Sequence, residues 1–127
     1  MSGIVLDASA LLAFLGGEAG AEAVAEQMAD AMVSAVNLSE VVAKLVDKGI
    51  GAEAVAAILA ALPVVVVSVD EALALRAGAL RAQTRSAGLS LGDRFCLALA
   101  DREGAAALTA DKAWTDAKLG IDIVLIR

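Results

Sequence analysis

Four acidic residues stand where this chain passes from one element to the next. Asp7 closes the apolar run Ile4-Val5-Leu6 and leads into Ala8-Ser9. Glu40 ends Asn37-Leu38-Ser39-Glu40, just after a second apolar run. Asp93 lies in Ser90-Leu91-Gly92-Asp93, and Asp111 follows Leu108-Thr109-Ala110, with Asp116 shortly beyond it. The chain has no histidine, which excludes imidazole acid–base chemistry, Ser–His–Asp triads and His-ligated zinc. It has no Tyr, two Phe and one Trp, too few for recognition of nucleic-acid bases by stacking. Any catalysis must come from carboxylates, hydroxyls, Lys, Arg or a metal.

Each acid also has a local explanation. Asp7 and Asp111 suit helix N-caps, worth about 0.5–2 kcal/mol. Glu40 stands at capping-box spacing from Asn37 and at ion-pair spacing from Lys44. Asp93 stands at capping-box spacing from Ser90. Asp93 fits this least comfortably, because its helical neighbours Cys96, Leu97 and Ala100 form an apolar face, with Arg94 and Asp101 on the wet side. A carboxylate turned inward needs a counter-charge or dense hydrogen bonding.

The elements that must carry these residues can be read from hydrophobic period. Ile4 to Leu6, Met32 to Val36, Val64 to Val67, Ala106 to Leu108 and Ile123 to Ile126 are continuous apolar runs, expected as strands buried on both faces. Helical spacing fills the intervals. Ala21, Val24, Ala25 and Met28 share one face, as do Leu38, Val41, Val42, Leu45 and Val46. Further helices are expected from Gly51 to Leu62, from Asp70 to about Ser86, and from Ser90 to Arg102, where Gly104 stops the last. The order β-α-α-β-α-α-β-α-α-β-α-β predicts one three-layer α/β/α domain over residues 1–127, with a central parallel sheet of four to five strands. Strand-to-helix junctions of such a sheet share one edge, so Asp7, Glu40 and Asp111 should converge there. Clustered carboxylates repel one another unless a cation intervenes, and oxygen-only ligation suits Mg²⁺ or Mn²⁺.

Length and composition set the remaining bounds. The 127 residues suit a single domain, and 60% apolar content is enough for a full core. The longest apolar stretch, Ala54 to Val67, is too short to span a bilayer and is broken by Pro63, so no membrane segment is expected. No signal peptide is read at the start. The lone Cys96 cannot form an internal disulfide, which suits a reducing cytoplasm. The net charge of −6 opposes a large nucleic-acid-binding surface. Arg76, Arg81, Arg85 and Arg94 nevertheless make a local basic stretch that could hold phosphates.

These blocks resemble the PIN-domain ribonucleases, and most closely the VapC toxins of type II toxin–antitoxin modules. The resemblance is carried by Leu6-Asp7-Ala8-Ser9-Ala10-Leu11-Leu12, Ser39-Glu40-Val41-Val42, Leu89-Ser90-Leu91-Gly92-Asp93-Arg94 and Leu108-Thr109-Ala110-Asp111-Lys112, in that order. It implies that Asp7, Glu40, Asp93 and Asp111 form an acidic quartet holding Mg²⁺ or Mn²⁺, with Asp116 a further ligand. Ser9 and Thr109 would orient the carboxylates through their hydroxyls. It also implies an RNA substrate, a small antitoxin partner and a homodimer, with Leu11, Leu12, Phe14 and Leu15 available for contacts. A PIN nuclease of RNA processing would keep the same site without the toxin role. A phospho-acceptor receiver domain is the reading from another class, but receivers want paired acids after the first strand, and Asp7 stands alone. A catalytically silent binding module conflicts with four intact acidic positions.

Overall fold

In the computed structural model, which describes residues 3–127, the apolar runs form five strands. They are β1 (Ile4–Leu6), β2 (Met32–Ser34), β3 (Val65–Val67), β4 (Ala106–Thr109) and β5 (Ile123–Leu125). All pair in parallel in the order β3-β2-β1-β4-β5. Alternation across the pleat sends Val5 and Ala107 into one core and Leu6 and Leu108 into the other. Helices cover both faces, giving the three layers expected.

Seven helices fill the connections: α1 (Ala8–Leu15), α2 (Ala21–Glu26), α3 (Ala35–Asp47), α4 (Ala52–Ala60), α5 (Glu71–Ala79), α6 (Arg81–Thr84) and α7 (Leu91–Glu103). Asp70 caps α5 by accepting from Leu73 N at 2.8 Å. Gly104 ends α7 in a left-handed conformation, φ 62°, which glycine adopts without strain.

The structure departs from the sequence reading in four places. The helix expected from Asp70 to Ser86 breaks at Leu80 into α5 and α6. The expected last helix is a single 3-10 turn, Lys112–Asp116. The strand expected to reach Val36 stops at Ser34, because the Ser34 hydroxyl caps α3 by accepting from Asn37 N at 3.1 Å. Glu40 therefore lies in the second turn of α3, and Asn37 is inside the helix, not at its cap. Finally, β3 and β5 are the edge strands, so Val65, Val66 and Val124 are 41–49% exposed where burial on both faces was expected.

Candidate active site

The strand order reverses beside β1, and Asp7 sits at that point, one residue past β1. Leu6 lies opposite Leu108 in the β1–β4 register, which brings Asp7 beside Thr109. Thr109 Oγ1 donates to Asp7 Oδ2 at 2.6 Å, and Ala10 N donates to Oδ1 at 2.8 Å. Ser9 Oγ contacts both carboxylate oxygens, at 2.8 and 2.9 Å. Each hydroxyl has a single proton to give, and both are directed at Asp7. Their lone pairs accept in turn from Ala110 N at 2.9 Å and Asp111 N at 3.0 Å, so the two strand ends are stitched around this carboxylate.

Asp7 is only 3% exposed. Burial raises its pKa from 3.8 to about 6; the Thr109, Ala10 and Ser9 hydrogen bonds pull it down, and the nearby charge of Asp93 pushes it up. Cys96 of α7 lies within reach of the charges of these acids. Its buried thiol is pushed well above the usual range, first by desolvation and then by the charges of Asp7, Asp93 and Glu40.

Local hydrogen bonds set how closely they approach. Asp93 completes a capping box with Ser90, its Oδ2 accepting from Ser90 N at 2.9 Å. Asp111 accepts from Ala113 N at 2.9 Å and is exposed, as is Asp116. Each carboxylate is thus drawn toward its own helix start. Among the described residues, no three acidic or cysteine side chains stand close enough to bind one ion jointly. This corrects the expectation of a tight cluster: Asp7, Asp93 and Asp111 each accept from the start of their own helix. The donor set still fits a hard cation. Mg²⁺ commonly takes one or two carboxylates and completes its shell with water and substrate phosphate, so an oxygen-only donor set of this kind suffices.

Glu40 is held by residues the sequence reading missed. Asn37 Nδ2 donates to Glu40 Oε1 at 2.9 Å and to the Gly92 carbonyl at 3.0 Å. Gly92 has no side chain where the Glu40 carboxylate lies, and a Cβ there would overlap it. The available signal was Asn37 itself, a polar residue in helical step with buried Val41 and Leu45. Beyond Glu40, a groove of about 640 Å³ runs between Val36 and Ser39 of α3, Ser68-Val69 after β3, and Leu91.

The arginines divide. Arg81 and Arg85 are exposed. Arg76 pairs with Asp101 at 2.6 Å, more than two turns along α7 from Asp93. Arg94 does not occupy the wet side: it is 9% exposed, its Nη1 donating to Ala77 O at 3.3 Å. None of the ion pairs among the described residues involves Asp7, Glu40, Asp93 or Asp111.

The PIN-domain family model matches residues 4–119. The chain belongs to the PIN-domain family. Solved structures of similar shape include a toxin–antitoxin complex from Klebsiella pneumoniae, at 20% identity and TM-score 0.74, covering 98% of both chains. DNA-bound VapBC from Salmonella typhimurium aligns over 100% of both chains at 18% identity and TM-score 0.76. VapC20 of Mycobacterium tuberculosis, a sarcin–ricin loop cleaving toxin, matches at 26% identity and TM-score 0.71, over 91% of this chain and 95% of that one. No curated protein matches. Among the described residues of this PIN domain, no helix is long and apolar enough to cross a membrane.

Proposed function

We propose that this PIN domain is a divalent-metal-dependent endoribonuclease and the toxin of a type II toxin–antitoxin pair. The observation that carries the proposal is Asp7: a carboxylate buried at the reversal of strand order, its pKa pushed up further by the charge of Asp93, and in no ion pair among the described residues. A bound Mg²⁺ or Mn²⁺ would neutralise that charge, stabilise the phosphorane-like transition state and acidify an attacking water. Asp7 and Asp93 would hold the ion, with Asp111 and Asp116 as further ligands.

Glu40 orients the attacking water and accepts its proton, the usual work of a carboxylate where no imidazole exists. Ser9 and Thr109 fix the Asp7 carboxylate by donating to it. The groove beyond Glu40 receives the strand flanking the scissile phosphate, and exposed Arg81 and Arg85 contact its backbone. Water attack on phosphorus leaves 5′-phosphate and 3′-hydroxyl ends. Attack by the RNA's own 2′-hydroxyl would leave 5′-hydroxyl and cyclic phosphate ends instead.

The toxin reading draws on the toxin–antitoxin neighbours and on an apolar groove of about 320 Å³ lined by Leu11, Leu38, Val42, Leu59 and Val66. A small antitoxin helix fits this groove, and a homodimer in the cytoplasm completes the reading. Mapping RNA ends after induced expression tests it. Wild type should produce new 5′-phosphate ends that Asp7→Asn does not. Equal patterns from both would remove the proposal.

A further inference from the structure

We infer that Asn37 and Gly92 are positioning residues for Glu40, forming a clamp between α3 and the start of α7 that fixes one carboxylate oxygen. The inference rests on the assignment of Glu40 as the group that orients the attacking water. Asn37 is 1% exposed, at a position of α3 where an apolar residue would ordinarily pack. Its amide orientation is determined by its partners. Ser34 Oγ accepts from Asn37 N and donates to Asn37 Oδ1, at 2.7 Å. Both Nδ2 hydrogens then face acceptors, Glu40 Oε1 and the Gly92 carbonyl. The flipped amide would set oxygen against both of them, with no proton between.

Gly92 supplies the other half of the clamp. The Glu40 carboxylate fills the space a side chain would occupy there, and the overlap falls on both carboxylate oxygens. Those oxygens end a flexible side chain, so Gly92→Ala displaces Glu40 and not the backbone. Alanine is also the better helix former, which favours α7 itself. The substitution should therefore separate position from stability.

The test compares Gly92→Ala and Asn37→Asp with wild type, alone and in a Glu40→Ala background. Asn37→Asp keeps the shape and the Ser34 contact but loses both donors. Each single variant should lower kcat about 10–100-fold, the range for residues that orient a catalytic ligand, with KM little changed. Tm should stay close to wild type in Gly92→Ala and fall in Asn37→Asp, whose buried carboxylate would face Glu40. Added to Glu40→Ala, neither should lower cleavage further, because each acts through the missing carboxylate. Without metal or RNA, the ¹³C carboxyl resonance of Glu40 should move in both variants. An unmoved resonance, wild-type kcat, or an undiminished effect in the Glu40→Ala background overturns the inference. Absence of RNA cleavage by wild type with either ion overturns the nuclease assignment itself, whatever the resonance does.

Discussion

Thr109 Oγ1 and Asp7 Oδ2 stand 2.6 Å apart although 102 positions separate them in the chain. The contact joins the ends of β1 and β4 and is one of three sets of donors that keep a buried carboxylate oriented. Thr109→Val preserves shape but removes the donor to Asp7 and the acceptor for Asp111 N. Divalent-ion affinity and cleavage should both fall about 10–100-fold, and stability by about 1–3 kcal/mol. Calorimetric Mn²⁺ titration beside thermal unfolding measures both; wild-type affinity in the variant would show that the contact is only structural.

The raised pKa of Asp7 has a consequence for stability. In the folded chain its pKa is about 6, against 3.8 as the ordinary value. The folded state therefore holds this proton more tightly than the unfolded state does. Asp7 favours the fold fully below about pH 4, and that contribution is lost as pH rises through about 6. A rise of this size corresponds to about 3 kcal/mol. Asparagine caps helices as well as aspartate does. In metal-free buffer, Asp7→Asn should thus unfold at higher temperature than wild type near pH 7.5, with the gap closing toward pH 4. Scanning calorimetry at several pH values reads this directly. A variant less stable than wild type across the whole range would contradict the burial argument.

Arg94 and the exposed pair Arg81 and Arg85 should separate cleanly. Arg94 Nε is buried without a hydrogen-bond partner, and an unpaired buried charge is costly. Arg94→Met should leave stability unchanged or raise it, with RNA affinity unaltered. Arg81→Gln with Arg85→Gln should weaken RNA binding for all sequences and lower the salt slope by about 1–2. Binding measured between low and physiological salt distinguishes the two. Lost affinity in Arg94→Met alone would reverse the assignment.

How much of this was legible in the sequence follows from what each signal depends on. The parallel sheet was readable because Ile4 to Leu6 and Ala106 to Leu108 are apolar without alternation, and both pair within the central strands. The same rule misjudged Val65 and Val66, because period does not reveal which strand lies at an edge. Leu80 ends α5 although leucine is a good helix former; Gly78 in the last turn was the local sign of weakness. The strand junctions were expected to bring Asp7, Glu40 and Asp111 to one edge of the sheet. The spacing among the acids was not readable, because it is set by the backbone N–H groups of Ala10, Ser90 and Ala113 that each carboxylate accepts from. Asn37 was hidden for a related reason. Its spacing to Glu40 also fits a capping box, and only the three-dimensional cap at Ser34 shows that the helix begins earlier.

Divalent-ion binding by wild type, Asp7→Asn and Asp93→Asn tests the central claim most directly. Both substitutions retain a capping side chain, so the fold should persist and only the ion's charge partner is lost. Wild type should bind Mn²⁺ and gain thermal stability as the ion is added, in proportion to the logarithm of its concentration above Kd. Neither variant should do so. Equal Mn²⁺ binding by all three proteins, or none by wild type, would mean that these carboxylates serve their helices alone.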